Sequence, residues 1–369
     1  RKDITMTVSS ARGARRRPSR QIASIVATSV LALSFLLPGP PALAQDSGID
    51  RVAIVTPASR TNQGWDQQGV DHLTAVGMEL GIAVDVSENA GYDDITPILD
   101  DLAGDGSDLI VCHASGYQTV CPEFAAERGV PVVVIENPGA VEAGLVSDIE
   151  TQAQAAAYLA GVMAGLETRT GTVAVVVSGE PPTWNFMTVG FAEGLHSVRP
   201  DAKLLYQVIG EAAYDDAPNA KRSTETVIAA GADIVFGMGD GASFGMIQAI
   251  REQNQGRAAD QQVRFIDVIG DKSGSDAGEF LLTSVLFDYQ GAYRTMIANL
   301  RDGSFGSVYT MNLENDGVRL LESPATAGGA TPATIDETRR RVIAGNIAVS
   351  SIGDAQGVHE RLDELFPGR

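Results

Sequence analysis

From Val52 onward the chain repeats one pattern: a short apolar run, a polar or glycine-bearing loop, then a longer stretch with apolar positions three and four apart. Val52–Val55, Ile82–Val86, Asp108–Cys112 and Val130–Ile135 read as strands. Helices are predicted between them over 65–81, 95–102 and 120–128. The rhythm then recurs, with strands at 173–177, 204–209, 233–236, 264–269 and 281–287 and helices at 185–198, 217–230, 243–254 and 291–300. Strand–helix alternation at this spacing predicts parallel sheets built from βαβ units. In such sheets ligands sit beyond the carboxyl ends of the strands. The loops to inspect are therefore 56–66, 112–119, 135–139, 178–186, 237–243 and 269–276.

Between the two sets lies TQAQAAAYLAGVMAGLETRTGTVAVVV, residues 151–177. Its apolar positions are too dense for one amphipathic stripe, so the helix is expected to be largely buried. It ends at Arg169-Thr170-Gly171, a basic last turn followed by glycine. A buried helix joining two α/β sets predicts two lobes side by side with a cleft between them. The expected division is 45–165 for the first lobe, 166–279 for the second, and 280–369 crossing back to complete the first and supply a tail helix, IDETRRRVIAGNI.

The first 44 residues read differently. Arg12, Arg15, Arg16, Arg17 and Arg20 precede an apolar run, Ile22–Leu37, and the small-x-small triplet Ala42-Leu43-Ala44. That is the layout of a cleaved export signal, and the run is shorter than a membrane span. The adjacent arginines leave both the general and the twin-arginine export routes open. With no cysteine near the cleavage point, a lipid anchor is not expected, and the localisation predicted is periplasmic. Cleavage takes seven of the chain's 27 basic residues and one of its 47 acidic ones, leaving 20 against 46, a net of −26. Such a surface repels nucleic acid and anionic membranes.

Several stretches carry a specific resemblance: GWDQQGVDHL, AAAYLAGVMAGLETRTGTVAVVV, PPTWNFMTVGFAEG, VIAAGADIVFGMGDGASFGMIQA, FIDVIGDKSG and LLTSVLFDYQGAYRTMIANLRDGSF. Together the chain resembles the basic-membrane-protein family of ABC-transporter substrate-binding proteins, whose characterised members bind purine nucleosides. The resemblance implies two Rossmann-like lobes joined by a hinge, the type I "Venus flytrap" fold. It also implies no catalysis and no cofactor. The expected partners are a nucleoside-like small molecule and an ABC permease, with the chain acting as a monomer.

A nucleoside presents a flat π-face, base-edge donors and acceptors, and ribose hydroxyls, so its site needs aromatic plates and polar side chains. Trp65 stands where the family places its stacking aromatic, and Asp66 where the family usually has asparagine. Asp66 is a ligand contact or a helix-end residue, and Asn62 a contact or a turn residue. His113, Ser115 and Tyr117 follow the third strand, and Asn137 the fourth. Trp184, Asn185 and Phe186 open the first helix of the second lobe, where the family offers a second aromatic face. Gly239 and Asp240 lie in the family's glycine-rich loop. The family often carries two aspartates one residue apart that hold ribose hydroxyls. An ungapped overlay puts Ile269 and Asp271 there, with Lys272 alongside. Asp288 either closes the site or caps the next helix.

Other chemistries find no support. His113 has no second ligand at metal-site spacing. GMGDGASFG lacks dinucleotide spacing, and there is no phosphate-binding GxxxxGK[ST] loop or GxSxG elbow. Ser115 near His113 is not a triad. Cys112 and Cys121, the only cysteines, are an even pair in an exported chain, which points to a disulfide over two separate buried thiols. Two alternatives to a nucleoside importer component remain: a binder of another small polar ligand such as a sugar, and an exported sensory partner of a membrane receptor.

Overall fold

The computed structural model describes residues 48–322 and 330–368, so the export signal expected over residues 1–44 and the start of the linker before the tail helix lie outside the described residues. The first half runs β1 (Arg51–Val55), α1 (Trp65–Leu80), β2 (Ala83–Ser87), α2 (Thr96–Gly104), β3 (Leu109–Cys112), α3 (Val120–Arg128), β4 (Val132–Ile135) and β5 (Val146–Thr151). Then α4 (Ala153–Glu167) leads to β6 (Thr172–Val177), α5 (Pro182–Val198), β7 (Lys203–Val208), α6 (Ala217–Ala229), β8 (Ile234–Met238), α7 (Ser243–Asn254), β9 (Arg264–Ile269) and β10 (Leu281–Phe287). The chain closes with α8 (Gln290–Arg301), β11 (Val308–Met311), β12 (Val318–Leu320), α9 (Pro332–Ile343) and α10 (Ala355–Leu365).

Two six-stranded sheets result, ordered β11-β5-β4-β3-β1-β2 and β12-β10-β9-β8-β6-β7. Every pairing is parallel except that of β12 with β10. The apolar runs LIVC and VVVI are buried along their whole length, as parallel strands covered on both faces require. The chain passes between the lobes three times: through α4, through α8, and between β11 and β12. The first return falls after Phe287 rather than at residue 280, because β10 pairs with β9 inside the second sheet.

Three strands had no clear sequence signal. In β5, the run VSDIET, four of six residues are polar, yet Ser147 and Asp148 are fully buried. The Ser147 hydroxyl accepts from the distant N–H groups of Gly306 and Ser307, and one carboxylate oxygen of Asp148 accepts from the nearby Asn137 N–H. β11 and β12 are short and depend on their sheets for definition.

Twelve of the fifteen residues of α4 are buried, and its partner is α5. The two helices touch backbone to backbone. A Cβ at Gly161 would lie 2.0 Å from the carbonyl oxygen of Phe191, and one at Gly194 2.0 Å from that of Tyr158. The helix pair therefore depends on hydrogen at these positions. On the outer face of α5, Glu193 accepts from Arg361 of α10 at 2.8 Å and from the Ser350 hydroxyl at 2.6 Å, which holds the tail against the second lobe.

Cys112 and Cys121 are joined as a disulfide, linking the end of β3 to the first turn of α3. By the chain-entropy estimate, closing so short a loop contributes about 2–3 kcal/mol. Cys121→Ser should lower the unfolding free energy by that amount in urea titration. Two reactive thiols per denatured chain would rule out the bridge.

Candidate functional site

The carboxyl ends of the parallel strands of both sheets face one cleft with about 530 Å³ of empty space, mouth included. From the first lobe it is lined by Pro57, Trp65, Asp66, Tyr92, Ala114, Ser115 and Glu136, and from the second by Pro181 to Trp184, Tyr214 and Asp240.

Trp65 begins α1 and is clamped at both ends. Its indole N–H donates to the carbonyl of His113 at 3.0 Å, and its own carbonyl lies 3.0 Å from Nε2 of His113. Burial pushes the His113 imidazole down to about 3, so the ring is neutral. Its Nε2–H donates to Trp65, and Nδ1 faces the Tyr293 hydroxyl at 3.3 Å. The Trp65 ring rests against those of His113, Phe287 and Tyr289, with centroids 5.1, 6.1 and 6.0 Å away. The rigid indole thus borders the cleft with its orientation set from behind.

Asp66 is buried, and one carboxylate oxygen accepts from Ala58 N–H at 3.0 Å and the other from the Asn62 amide at 2.7 Å. Burial raises its pKa, opposed by those two donors. Across the cleft, Trp184 donates its indole N–H to the Ser178 hydroxyl at 3.0 Å.

Two hydrogen bonds span the lobes in reciprocal fashion. The first N–H of α1, that of Trp65, donates to Asp240 after β8 at 2.9 Å. The hydroxyl of Thr183, in the first turn of α5, donates to Glu136 after β4 at 2.6 Å. Each lobe offers one helix start and one strand-end carboxylate. Burial lifts Glu136 to about 7, with Glu150 and Asp148 adding to the rise and Thr183 opposing it. Burial likewise lifts Asp240 to about 7, helped by the charges of Asp66 and Asp215 and opposed by Trp65 N–H and Lys272.

Of the residues singled out from sequence, Trp65, Asp66, Ser115, Trp184 and Asp240 line the cleft. The others do not. Asn62 ties down the loop before α1, donating to Asp66 and accepting from Gly64 N–H. His113 sits behind Trp65. Tyr117 is buried, its hydroxyl donating to the Gly91 carbonyl at 2.6 Å. Asn137 donates to the Gln118 carbonyl. Asn185 bridges the carbonyls of Glu180 and Gly353, and Phe186 packs on Gly353. The Gly239 carbonyl accepts from Ser243. Asp271 is exposed and accepts from Ser273 N–H within its own turn. Lys272 points into the sheet, where its ammonium meets Asp267 at 2.6 Å. Asp288 accepts from Gln290 N–H, the first of α8.

Sequence reasoning passed over Tyr92, Glu136, Thr183 and Tyr214. Glu136 and Thr183 lie in loops already marked for inspection; the left-handed backbone of Glu136, with φ of 59°, has no sequence signal. Tyr92 and Tyr214 follow the edge strands β2 and β7, outside the loops marked from sequence.

The arrangement is that of a two-lobed α/β binding protein whose ligand enters between the strand ends. No group of three or more metal-ligating side chains occurs among the described residues. The family model of the PnrA-like ABC transporter substrate-binding proteins matches residues 49–351, and the chain belongs to that family. It is a family of transporter binding proteins, not of enzymes. The chain is 25% identical over 206 residues to the ABC transporter nucleoside-binding protein BmpA of Lactococcus lactis, covering 53% of this chain and 57% of that protein. It is 24% identical over 258 residues to the transcriptional activator protein Med of Bacillus subtilis, covering 69% and 76%. Among solved structures, an ABC transporter solute-binding protein from Aeropyrum pernix K1 superposes with a TM-score of 0.72 at 16% identity, over 86% of this chain and 97% of that one. An arabinose-binding protein from Geobacillus stearothermophilus shares the fold at a TM-score of 0.54 and 16% identity, over 78% and 98%.

Proposed function

We propose that this chain is the extracytoplasmic, monomeric capture component of an ABC importer, and that its ligand is a purine nucleoside or a close analogue. The observation that carries the reading is the cleft lining: four aromatic rings, Trp65, Tyr92, Trp184 and Tyr214, interleaved with the carboxylates of Asp66, Glu136 and Asp240. Aromatic plates take the faces of a base, and carboxylates accept from base N–H groups and ribose hydroxyls. The similarity to a nucleoside-binding protein of Lactococcus lactis supports the same reading. The family and the leader-like residues 1–44 support export and delivery to a permease.

Titration calorimetry with adenosine, guanosine, inosine and their free bases tests the ligand, with arabinose and ribose as the sugar comparison. Trp65→Ala should weaken nucleoside binding about 5- to 150-fold, from stacking worth roughly 1–3 kcal/mol per base. Asp271→Asn, exposed and outside the cleft, should change affinity by no more than about twofold. No heat with any nucleoside, alongside tight binding of a sugar or an acid, would refute the ligand while leaving the two-lobed binder intact.

A further inference from the structure

We infer that the cleft rejects phosphorylated ligands, and that Asp240 is the residue that determines this, because its carboxylate already holds the place at the head of α1 that a phosphate would take. The inference rests on the nucleoside reading and sharpens it to the unphosphorylated form.

A helix start presents free N–H groups and partial positive charge, which suits anions. At the head of α1 three such donors are already taken. Trp65 N–H donates to Asp240 from the opposite lobe, while Gly64 and Gln67 N–H groups donate to Asn62 Oδ1 at 3.0 and 3.4 Å. The approach of Asp240 is provided for: a Cβ at Gly64 would lie 2.5 Å from its Oδ1 and 3.0 Å from its Cα. The rest of the lining offers an anion no positive charge. It adds the carboxylates of Asp66 and Glu136 and holds no lysine, arginine or histidine, its side-chain donors being uncharged hydroxyls such as those of Tyr92, Ser115 and Tyr214. Lys272, the cation that acts on Asp240, is committed to Asp267 at 2.6 Å, with both side chains almost wholly buried. A phosphate entering this space would meet like charges in a poorly solvated cleft, with no counter-ion to offset them.

The test compares guanosine with guanosine 5′-monophosphate by titration calorimetry at about pH 8, on the wild-type chain and Asp240→Asn. A parallel thermal melt measures Asp240→Ala and the wild type with and without about 20 mM inorganic phosphate at matched ionic strength; Asp240→Ser replaces the alanine variant if that fails to fold. The monophosphate should bind the wild type at least about 100-fold more weakly than guanosine, and Asp240→Asn should narrow the gap about tenfold. Phosphate should raise the melting temperature of Asp240→Ala by about 1–2 °C and leave the wild type unmoved. A monophosphate within about threefold of guanosine on the wild type overturns the inference, as does a gap unchanged in Asp240→Asn. If guanosine itself gives no heat, the nucleoside reading fails and the melts alone decide. Phosphate stabilising both chains alike, or neither, then overturns the role of Asp240; stabilisation of the alanine variant alone sustains it.

Discussion

Lys272→Met should lower the unfolding free energy by about 3–5 kcal/mol while leaving ligand affinity within about threefold. The ammonium of Lys272 and the carboxylate of Asp267 meet at 2.6 Å, with side-chain exposures of 1% and 0%. Burial already drives the Asp267 pKa upward, and Lys272 is the largest influence opposing it. Without the ammonium, Asp267 must stay protonated in the folded chain or stand as an uncompensated buried charge. The sign of the pH dependence follows. A carboxyl whose folded pKa is raised further favours folding at low pH and loses that contribution as pH rises. The deficit of the variant should therefore grow with pH above about 4, the ordinary aspartate range, and shrink below it. Urea titrations at several pH values measure this, and Asp267→Asn on the Lys272→Met background should recover a large part of the loss. A variant of unchanged stability that no longer binds would return Lys272 to the ligand site.

Gly161→Val should cost about 3 kcal/mol or more, lower the melting temperature by several degrees, and weaken binding as well. Inserting atoms into a packed core usually costs about 1–3 kcal/mol, with side chains shifting to make room. Here the obstructing atoms are backbone. The added Cβ would lie 2.0 Å from the Phe191 oxygen and 2.8 Å from the Leu195 nitrogen, so α4 and α5 must separate along their length. Since α5 carries Thr183 and Trp184 into the cleft, that separation displaces one wall of the site. Gly104→Ala is the control: it lies in α2, with nothing within 4 Å of the added methyl. It should be neutral or slightly stabilising, given the poor helix propensity of glycine. A Gly161→Val chain that melts with the wild type would show that α4 and α5 are not packed this closely.

Much of the site lay within reach of the sequence, because strand ends in a parallel sheet are where ligands must sit. Trp65, Asp66, Ser115, Trp184 and Asp240 were found by that rule and by family resemblance, and all five border the cleft. The same rule drew in His113, Lys272 and Asn185, which occupy strand-end or helix-start positions but turn elsewhere. A position along the chain places the Cα atom. The direction of the side chain depends on which partner satisfies its polar groups: distant ones for two of the three, Tyr293 for His113 and the Gly353 carbonyl for Asn185, and the nearby Asp267 for Lys272.

The sequence by itself determined the α/β class, the two sets of βαβ units and the buried helix joining them. A parallel strand covered on both faces needs a continuous apolar run, and such runs are read directly, as in VVVI and LIVC. It also determined which loops to search. Only the tertiary structure decided the three crossings between lobes and the polar strand β5. It alone brought Trp65 N–H to Asp240, 175 residues away, and Thr183 to Glu136, 47 away. Those contacts are set by how two lobes meet, and their energy is electrostatic and local. No periodicity in the chain records it.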